Sequence, residues 1–296
     1  MNPLSEYPNS PKRLADFISK YQFSPRKELG QNFLVDQNII NIIVKALCIK
    51  ENDSIFEIGT GMGALTAALL SVAQYVFSIE KDIRIKPALD EIFLSKKDNV
   101  TILYGDILSF DLVGFLKGKK LNGYKIDKIT GNLPYSISLP LLRKIMGMHH
   151  FLKMGVFMVQ KEVGERMLAS PGKKNYGILS VMSQYYSRIE KIHLVKPEVF
   201  YPRPEVTSII IRVNFLEKPS VSVDDESLFF DLVRAIFQHR RKNISNALKL
   251  YFGERIEMDM LKKTLQKLAF GTNQRGENFG LKEFAQLTGE IKKIIK

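Results

Sequence analysis

From residue 54 onward the chain alternates short apolar runs with amphipathic stretches. SIFEIG (54–59), YVFSIE (75–80), VTILYGD (100–106), YKIDKITGN (124–132) and MGVFMVQ (154–160) have the length and the β-branched or aromatic enrichment of buried strands. ALTAALLSVA and DIRIKPALDEIFL lie between them and repeat apolar residues at helical spacing; LLRKIMGMH does the same after Pro140. KEVGERMLA and YGILSVMSQYYS continue the pattern as helices. IEKIHLVKP (189–197) and SIIIRVNF (208–215) read as two more strands, with FYPRP between them. Such alternation predicts a parallel sheet covered by helices on both faces.

The pattern changes near residue 217. KPSVSVDDES is polar and reads as a linker, and everything beyond it has helical periodicity, including LFFDLVRAIFQHRRKNISNALKLYF (228–252). The first residues are polar and proline-containing. The expected organisation is therefore a flexible segment over 1–24, an α/β domain over 25–217 and a small all-helical domain over 218–296.

Composition narrows the class of partner. The chain has 296 residues, 45% of them hydrophobic, and carries 44 Lys and Arg against 31 acidic residues, a formal charge of +13. A charge excess of this size speaks of partners rather than of fold: nucleic acid first, an anionic membrane surface second. One cysteine, Cys48, allows neither an internal disulfide nor a thiolate metal site. The adjacent His149 and His150 are expected to end a helix and point apart, so no metal is expected. No apolar run approaches the ~20 residues needed to span a bilayer. A soluble cytoplasmic protein is the expectation.

The ends of the strands carry the candidate chemistry. FEIGTGMGA puts Gly59, Gly61 and Gly63 between the first strand and a helix, and Gly59, Gly61 and Ala64 fit G-x-G-x-x-G/A. Glu80 closes the second strand, where a carboxylate can accept from both ribose hydroxyls of a nucleoside. Asp106 closes the third, where it can accept from an adenine amino group. Ligands of open α/β sheets sit at these strand ends, so an adenosine-containing cofactor is expected, with NAD and S-adenosylmethionine both open.

The fourth strand ends in GNLPYSISLP (131–140), too apolar for an ordinary surface loop. Its residues suit an adenine whose exocyclic amine must attack a methyl group. That nitrogen is a poor nucleophile, because its lone pair is delocalised into the ring. The Asn132 side-chain oxygen and the Leu133 carbonyl can accept from its two N–H groups. Pro134 stiffens the backbone. Tyr135 offers a face for stacking, worth on the order of 1–3 kcal/mol per base. Hydride transfer has no use for this arrangement.

GNLPYSIS resembles the signature of the rRNA adenine dimethyltransferases. RKELGQNFLVD (26–36), EIGTGMGALT, QKEVGERMLASPGKKNYGILSVMSQYYS (160–187), PEVFYPRPEVTS (197–208) and FGTNQR (270–275) are similar to further motifs of that family, closest to its small-subunit group. Thr60 departs from the proline the family more often carries. The resemblance implies a Rossmann-like, seven-stranded class I methyltransferase sheet and S-adenosylmethionine as donor. It implies dimethylation of two adjacent adenines in the 3′-terminal hairpin loop of small-subunit rRNA, within an assembling small ribosomal subunit, by a monomer. By motif match, Gln31, Asn32, Leu34, Gly59, Gly61, Glu80, Asp106 and Asn132 would touch the cofactor. Asn132, Leu133, Pro134 and Tyr135 would grip a flipped adenine, with Phe200 as the opposite wall. Arg234, Arg240, Arg241 and Lys242 would contact RNA, with Arg234, Arg241 and Lys242 near one face of a helix. SPRKELGQ (24–31) and SPGKKNYG (170–177) add basic groups. Two alternatives are a large-subunit rRNA adenine methylase of the antibiotic-resistance type and a non-catalytic nucleic-acid-binding relative.

Overall fold

The structure is a computed structural model that describes residues 7–8, 10–118, 123–271 and 274–295. Residues 1–6 and 9 of the N-terminal segment, and Thr272 and Asn273 of FGTNQR, lie outside the described residues.

The strands among the described residues are β1 Phe33–Leu34, β2 Ser54–Ile58, β3 Tyr75–Glu80, β4 Val100–Tyr104, β5 Ile126–Asn132, β6 Met154–Gln160, β7 Ser187–Val195, β8 Phe200–Tyr201 and β9 Ser208–Phe215. The described helices are α1 Pro11–Tyr21, α2 Gln37–Ala46, α3 Ala64–Leu70, α4 Lys86–Ile92, α5 Leu112–Lys117, α6 Ser138–Met146, α7 Lys161–Leu168, α8 Ile178–Tyr186, α9 Glu226–Gln238, α10 Ile244–Phe252, α11 Met258–Lys267 and α12 Leu281–Ile291.

Seven strands form one sheet in the order β4-β3-β2-β5-β6-β9-β7. The strands from β4 to β6 pair in parallel, and β9 then pairs antiparallel to β6. A wholly parallel sheet is therefore corrected at that edge. β2 and β3 are buried along their whole length, as central parallel strands are when helices cover both faces. The strand order reverses at β2, flanked by β3 and β5, and this opens a crevice at the carboxyl ends of these strands. At Gly131, beside Ile58 in the register of β5 and β2, a Cβ would lie 2.5 Å from the Ile58 carbonyl oxygen, so only glycine lets the two strands close here.

Within the N-terminal segment, Pro11–Tyr21 form the helix α1. Ser10 caps α1 by accepting from Arg13 N, Pro11 occupies the first turn, and Leu14 and Phe17 are buried. Phe17 meets Phe23 edge-on, and Phe23 meets Phe33 of β1 in the same way.

The chain divides into two compact units. One runs to Gly164 and resumes over Ile189–Phe215; the other comprises Glu165–Arg188 and the chain from Leu216 onward. A single cut near residue 217 misses the recruitment of 165–188. That segment joins the second unit through aromatic packing: Tyr185 stacks on Phe229 at 4.8 Å, and the buried Tyr176 hydroxyl donates to the Phe279 carbonyl at 2.9 Å. The stretch 228–252 is two helices, because Asn243 accepts from Asn246 N and starts α10 afresh. Arg240, Arg241 and Lys242 lie in the turn between α9 and α10, so they do not share a helix face with Arg234.

Among the described residues, no helix is long and apolar enough to cross a membrane, and no group of three or more His, Cys, Asp or Glu could hold a metal. His149 and His150 lie in the turn after α6 with ring centroids 3.7 Å apart, so they do not point apart as a helix would place them.

Candidate active site

One cavity of the first unit is lined by Gln31, Asn32, Leu34, Gly59, Gly61, Glu80, Asp106, Asn132, Leu133, Pro134 and Tyr135. These expected site residues come from five separate stretches of sequence. The structure brings them together at the carboxyl ends of β2 to β5 and along β1 and the two residues before it.

The turn after β2 is held by backbone geometry. Gly59, Gly61 and Gly63 have φ of 81°, 52° and 81°, in the left-handed region. At Gly63 a Cβ would also lie 2.9 Å from the Phe93 ring, so no side chain fits where the turn enters α3. Gly61 N donates to Glu80 Oε2 at 2.8 Å, and Asp82 N donates to Glu80 Oε1 at 2.8 Å. These bonds aim the Glu80 carboxylate along the glycine turn. Burial pushes its pKa upward.

Asp106 follows β4. Its Oδ1 accepts from Leu108 N at 2.9 Å and its Oδ2 from Lys81 Nζ at 2.9 Å. The Lys81 ammonium, and then the Leu108 amide, hold this carboxyl below its usual range. Lys81 itself lines the cavity; in the sequence it looks like any exposed lysine after a strand, and nothing there marks it.

At the tip of β5, Asn132 Nδ2 donates to the Asn32 carbonyl at 2.8 Å. That bond leaves the Oδ1 side of the carboxamide as an acceptor. Leu133 N is spent on the Met158 carbonyl at 3.0 Å. The Tyr135 hydroxyl meets Ser208 Oγ at 2.6 Å, and burial raises its pKa, so the phenol stays neutral at physiological pH. Gln31 is a brace: its Nε2 donates to Asp82 Oδ2 at 2.8 Å and its Oε1 accepts from Arg26 N at 2.7 Å.

Beneath the glycine turn lies a buried polar chain that the sequence pattern does not announce. The Thr60 and Ser78 hydroxyls are 2.7 Å apart, and Ser78 Oγ and Thr66 Oγ1 donate to Glu57 Oε2 at 3.0 and 2.5 Å. Burial drives the Glu57 carboxyl up to about 8. Thr60 therefore does more than replace a stiff residue; its hydroxyl ties the turn to β3.

Phe200 is not part of the cavity lining. It is 4% exposed, belongs to the apolar core and pairs with Leu34 across β1 and β8. Its neighbour Tyr201 is the open ring, at 42% exposure.

The expected RNA-contacting residues lie in the second unit, and two are already engaged there. Arg234 pairs with Asp231 at 2.7 Å. Arg240 donates from Nη1 to the Lys174 carbonyl at 2.6 Å, from Nη2 to the Lys173 carbonyl at 3.0 Å and from Nε to Glu277. Arg241, Lys242, Lys173 and Lys174 are exposed.

The first-unit cavity combines carboxylate acceptors at two strand ends, a glycine turn that opens backbone to a ligand, and apolar walls from Ile58, Met62, Leu65, Ile79 and Ile107. That donor set fits a nucleoside held by its hydroxyls and base edge. Comparison with known proteins gives the family. The family model "Ribosomal RNA adenine dimethylase" matches residues 22–284. A ribosomal RNA small subunit methyltransferase A of Staphylococcus carnosus is 40% identical over 286 residues, covering 96% of both chains. The protein of the same name from Alkaliphilus oremlandii is 38% identical over 288 residues, covering 97% of this chain and 99% of its own. Among solved structures, a dimethyladenosine transferase from Plasmodium falciparum superposes with a TM-score of 0.76 at 26% identity, covering 88% of this chain and 98% of that one. The chain belongs to the ribosomal RNA adenine dimethylase family.

Proposed function

We propose that this chain uses S-adenosylmethionine to dimethylate the exocyclic amines of two adjacent adenosines in the 3′-terminal hairpin loop of small-subunit rRNA. The observation that carries the proposal is the Asn132 carboxamide, fixed through Nδ2 so that its oxygen is an acceptor in a nucleoside-fitting cavity.

When bound, S-adenosylmethionine supplies an electrophilic methyl group. Glu80 would accept from the ribose hydroxyls and Asp106 from the adenine amine, beside the backbone of Gly59 and Gly61. Asn32 and Leu34 would close the site from the N-terminal side, with Gln31 bracing Asn32 through Asp82. Asn132 Oδ1 and the Leu133 carbonyl would accept from the two N–H groups of the target amine and draw that nitrogen toward a tetrahedral shape. Pro134 holds this backbone stiff and Tyr135 gives the base a face to stack on. Catalysis then comes from positioning and electrostatics; the amine would release one proton to water for each methyl gained, and the neutral Tyr135 phenol takes none.

For the RNA, the exposed Lys173, Lys174, Arg241 and Lys242 supply the phosphate contacts of the second unit. Arg240 acts one step behind them by holding the Lys173–Lys174 loop. The substrate is an assembling small subunit, met by a monomer in the cytoplasm.

The test is methyl transfer from labelled S-adenosylmethionine to unmethylated small subunits, with large subunits and DNA as parallel acceptors, followed by nucleoside analysis. Dimethyladenosine from small subunits alone is expected. Transfer only to large subunits would redirect the reading to a resistance-type methylase, and no transfer with cofactor still bound would redirect it to a binding protein.

A further inference from the structure

Helix α6 begins a few residues after Asn132, and its Lys144 reaches the loop that follows β4. Lys144 Nζ donates to the carbonyl oxygens of Ile107, Leu108 and Phe110 at 3.0, 2.9 and 2.6 Å. An ammonium has three donors, so one side chain spends its whole donor set on three carbonyls of one turn. That turn is wound around Asp106. Ser109 N and Phe110 N donate to the Asp106 carbonyl at 3.1 and 2.9 Å, and Leu108 N donates to Oδ1 of its carboxylate. A turn this short leaves carbonyls without helical partners, and a cation among them is favourable. Lys144 is half-buried and forms no ion pair among the described residues. The lysine thus joins the loop carrying Asp106 to the helix that grows out of the Asn132–Tyr135 loop.

We infer that Lys144 is a positioning residue for donor recognition: its three-carbonyl clamp holds the Asp106 carboxylate at the base-reading end of the cavity, in fixed relation to the acceptor loop. The inference rests on the reading of this cavity as the S-adenosylmethionine site. Lys144 touches neither reactant in that reading. It acts through the shape of the 106–110 turn and, at longer range, through its charge on the Asp106 carboxylate, while Lys81 binds that carboxylate directly.

The test compares the affinities of S-adenosylhomocysteine and S-inosylhomocysteine for the full chain and for its Lys144→Met, Lys144→Gln and Lys144→Arg variants, by calorimetry. Inosine presents a carbonyl where adenine presents an amine, so the ratio of the two affinities reads the Asp106 contact apart from the rest of the site. The wild type is expected to prefer the adenine nucleoside. Lys144→Met and Lys144→Gln should narrow that preference about tenfold, and Lys144→Arg, which still donates to carbonyls, should keep most of it. Equal weakening of both ligands, or an unchanged preference in the two neutral variants, overturns the inference. Failure of the wild type to bind S-adenosylhomocysteine overturns instead the assignment of the cavity.

Discussion

The Asn132 side chain is held by the backbone of Asn32, one hundred residues earlier in the chain: Nδ2 to carbonyl oxygen, 2.8 Å. The Asn32 side chain is occupied elsewhere, donating to the Gly30 carbonyl at 3.3 Å. The N-terminal motif therefore sets the orientation of the proposed catalytic carboxamide through a peptide group rather than through a side chain.

That asymmetry predicts unequal effects of two similar substitutions. Asn132→Ala removes the acceptor for the target amine and should lower methyl transfer by about 10²–10³, the usual cost of losing one preorganised polar group. Asn32→Ala keeps the carbonyl and should lower transfer by less than about tenfold. Single-turnover transfer at saturating donor checks this. Equal reductions would mean that the Asn32 side chain has a role of its own.

The strand ends that matter were legible because each closes an apolar run. Gly59, Glu80, Asp106 and Asn132 each sit at the carboxyl end of one of the parallel strands β2 to β5 or in the turn directly after it, where an open α/β sheet puts its ligand. The connections between them were not legible. Lys144 reads as one more cation on an amphipathic helix, and its carbonyl partners are known only once β4 and α6 are side by side. The Asn32 bond joins backbone to side chain across one hundred residues and leaves no pattern in either stretch. The recruitment of 165–188 into the second unit depends on Tyr176 and Tyr185 meeting distant aromatics, which local periodicity cannot show. The break before α10 was readable, since Asn243, an N-cap residue, stands directly before a new apolar run.

Glu57 makes stability depend on pH in a direction opposite to most carboxylates. Its folded pKa of about 8 lies above the ordinary value of 4.5, so between these values the folded chain holds a proton that the unfolded chain has lost. The contribution is fully present below about pH 4.5 and is lost progressively as pH rises to about 8, with a slope of at most about 1.4 kcal/mol per pH unit. In Glu57→Gln this component of the slope should vanish. Urea unfolding midpoints measured from acid to mildly alkaline pH would show it. A wild-type curve parallel to that of the variant would mean that Glu57 is ionised in the folded protein.

Lys173 and Lys174 should account for part of the salt dependence of RNA binding. Replacing both with Ala should reduce the slope of log K against log salt by about 0.7–0.9 for each phosphate that is no longer neutralised. Arg240→Gln should weaken binding through the loop it holds, and should add little once both lysines are gone, because substitutions that act on the same interaction are not additive. Titration of a small-subunit hairpin RNA over a range of salt measures both. An unchanged slope in the lysine double variant removes this loop from the interface.

Phe200 gives the sharpest separation of packing from recognition. It is buried in the core behind Leu34, so Phe200→Ala should cost about 3–5 kcal/mol of stability. Phe200→Leu keeps the site apolar and near its volume, and should cost less than about 1.5 kcal/mol. If the ring only packs, the Leu variant keeps methyl transfer within about threefold of wild type. If the ring turns out to clamp the flipped adenine, the Leu variant folds normally and binds S-adenosylhomocysteine normally, yet loses transfer, because stacking on a base needs an aromatic face. The burial observed here favours the first result, with Tyr135 as the stacking surface. A folded, cofactor-competent and inactive Phe200→Leu variant would return Phe200 to the wall of the base pocket and would require β8 to move when RNA enters.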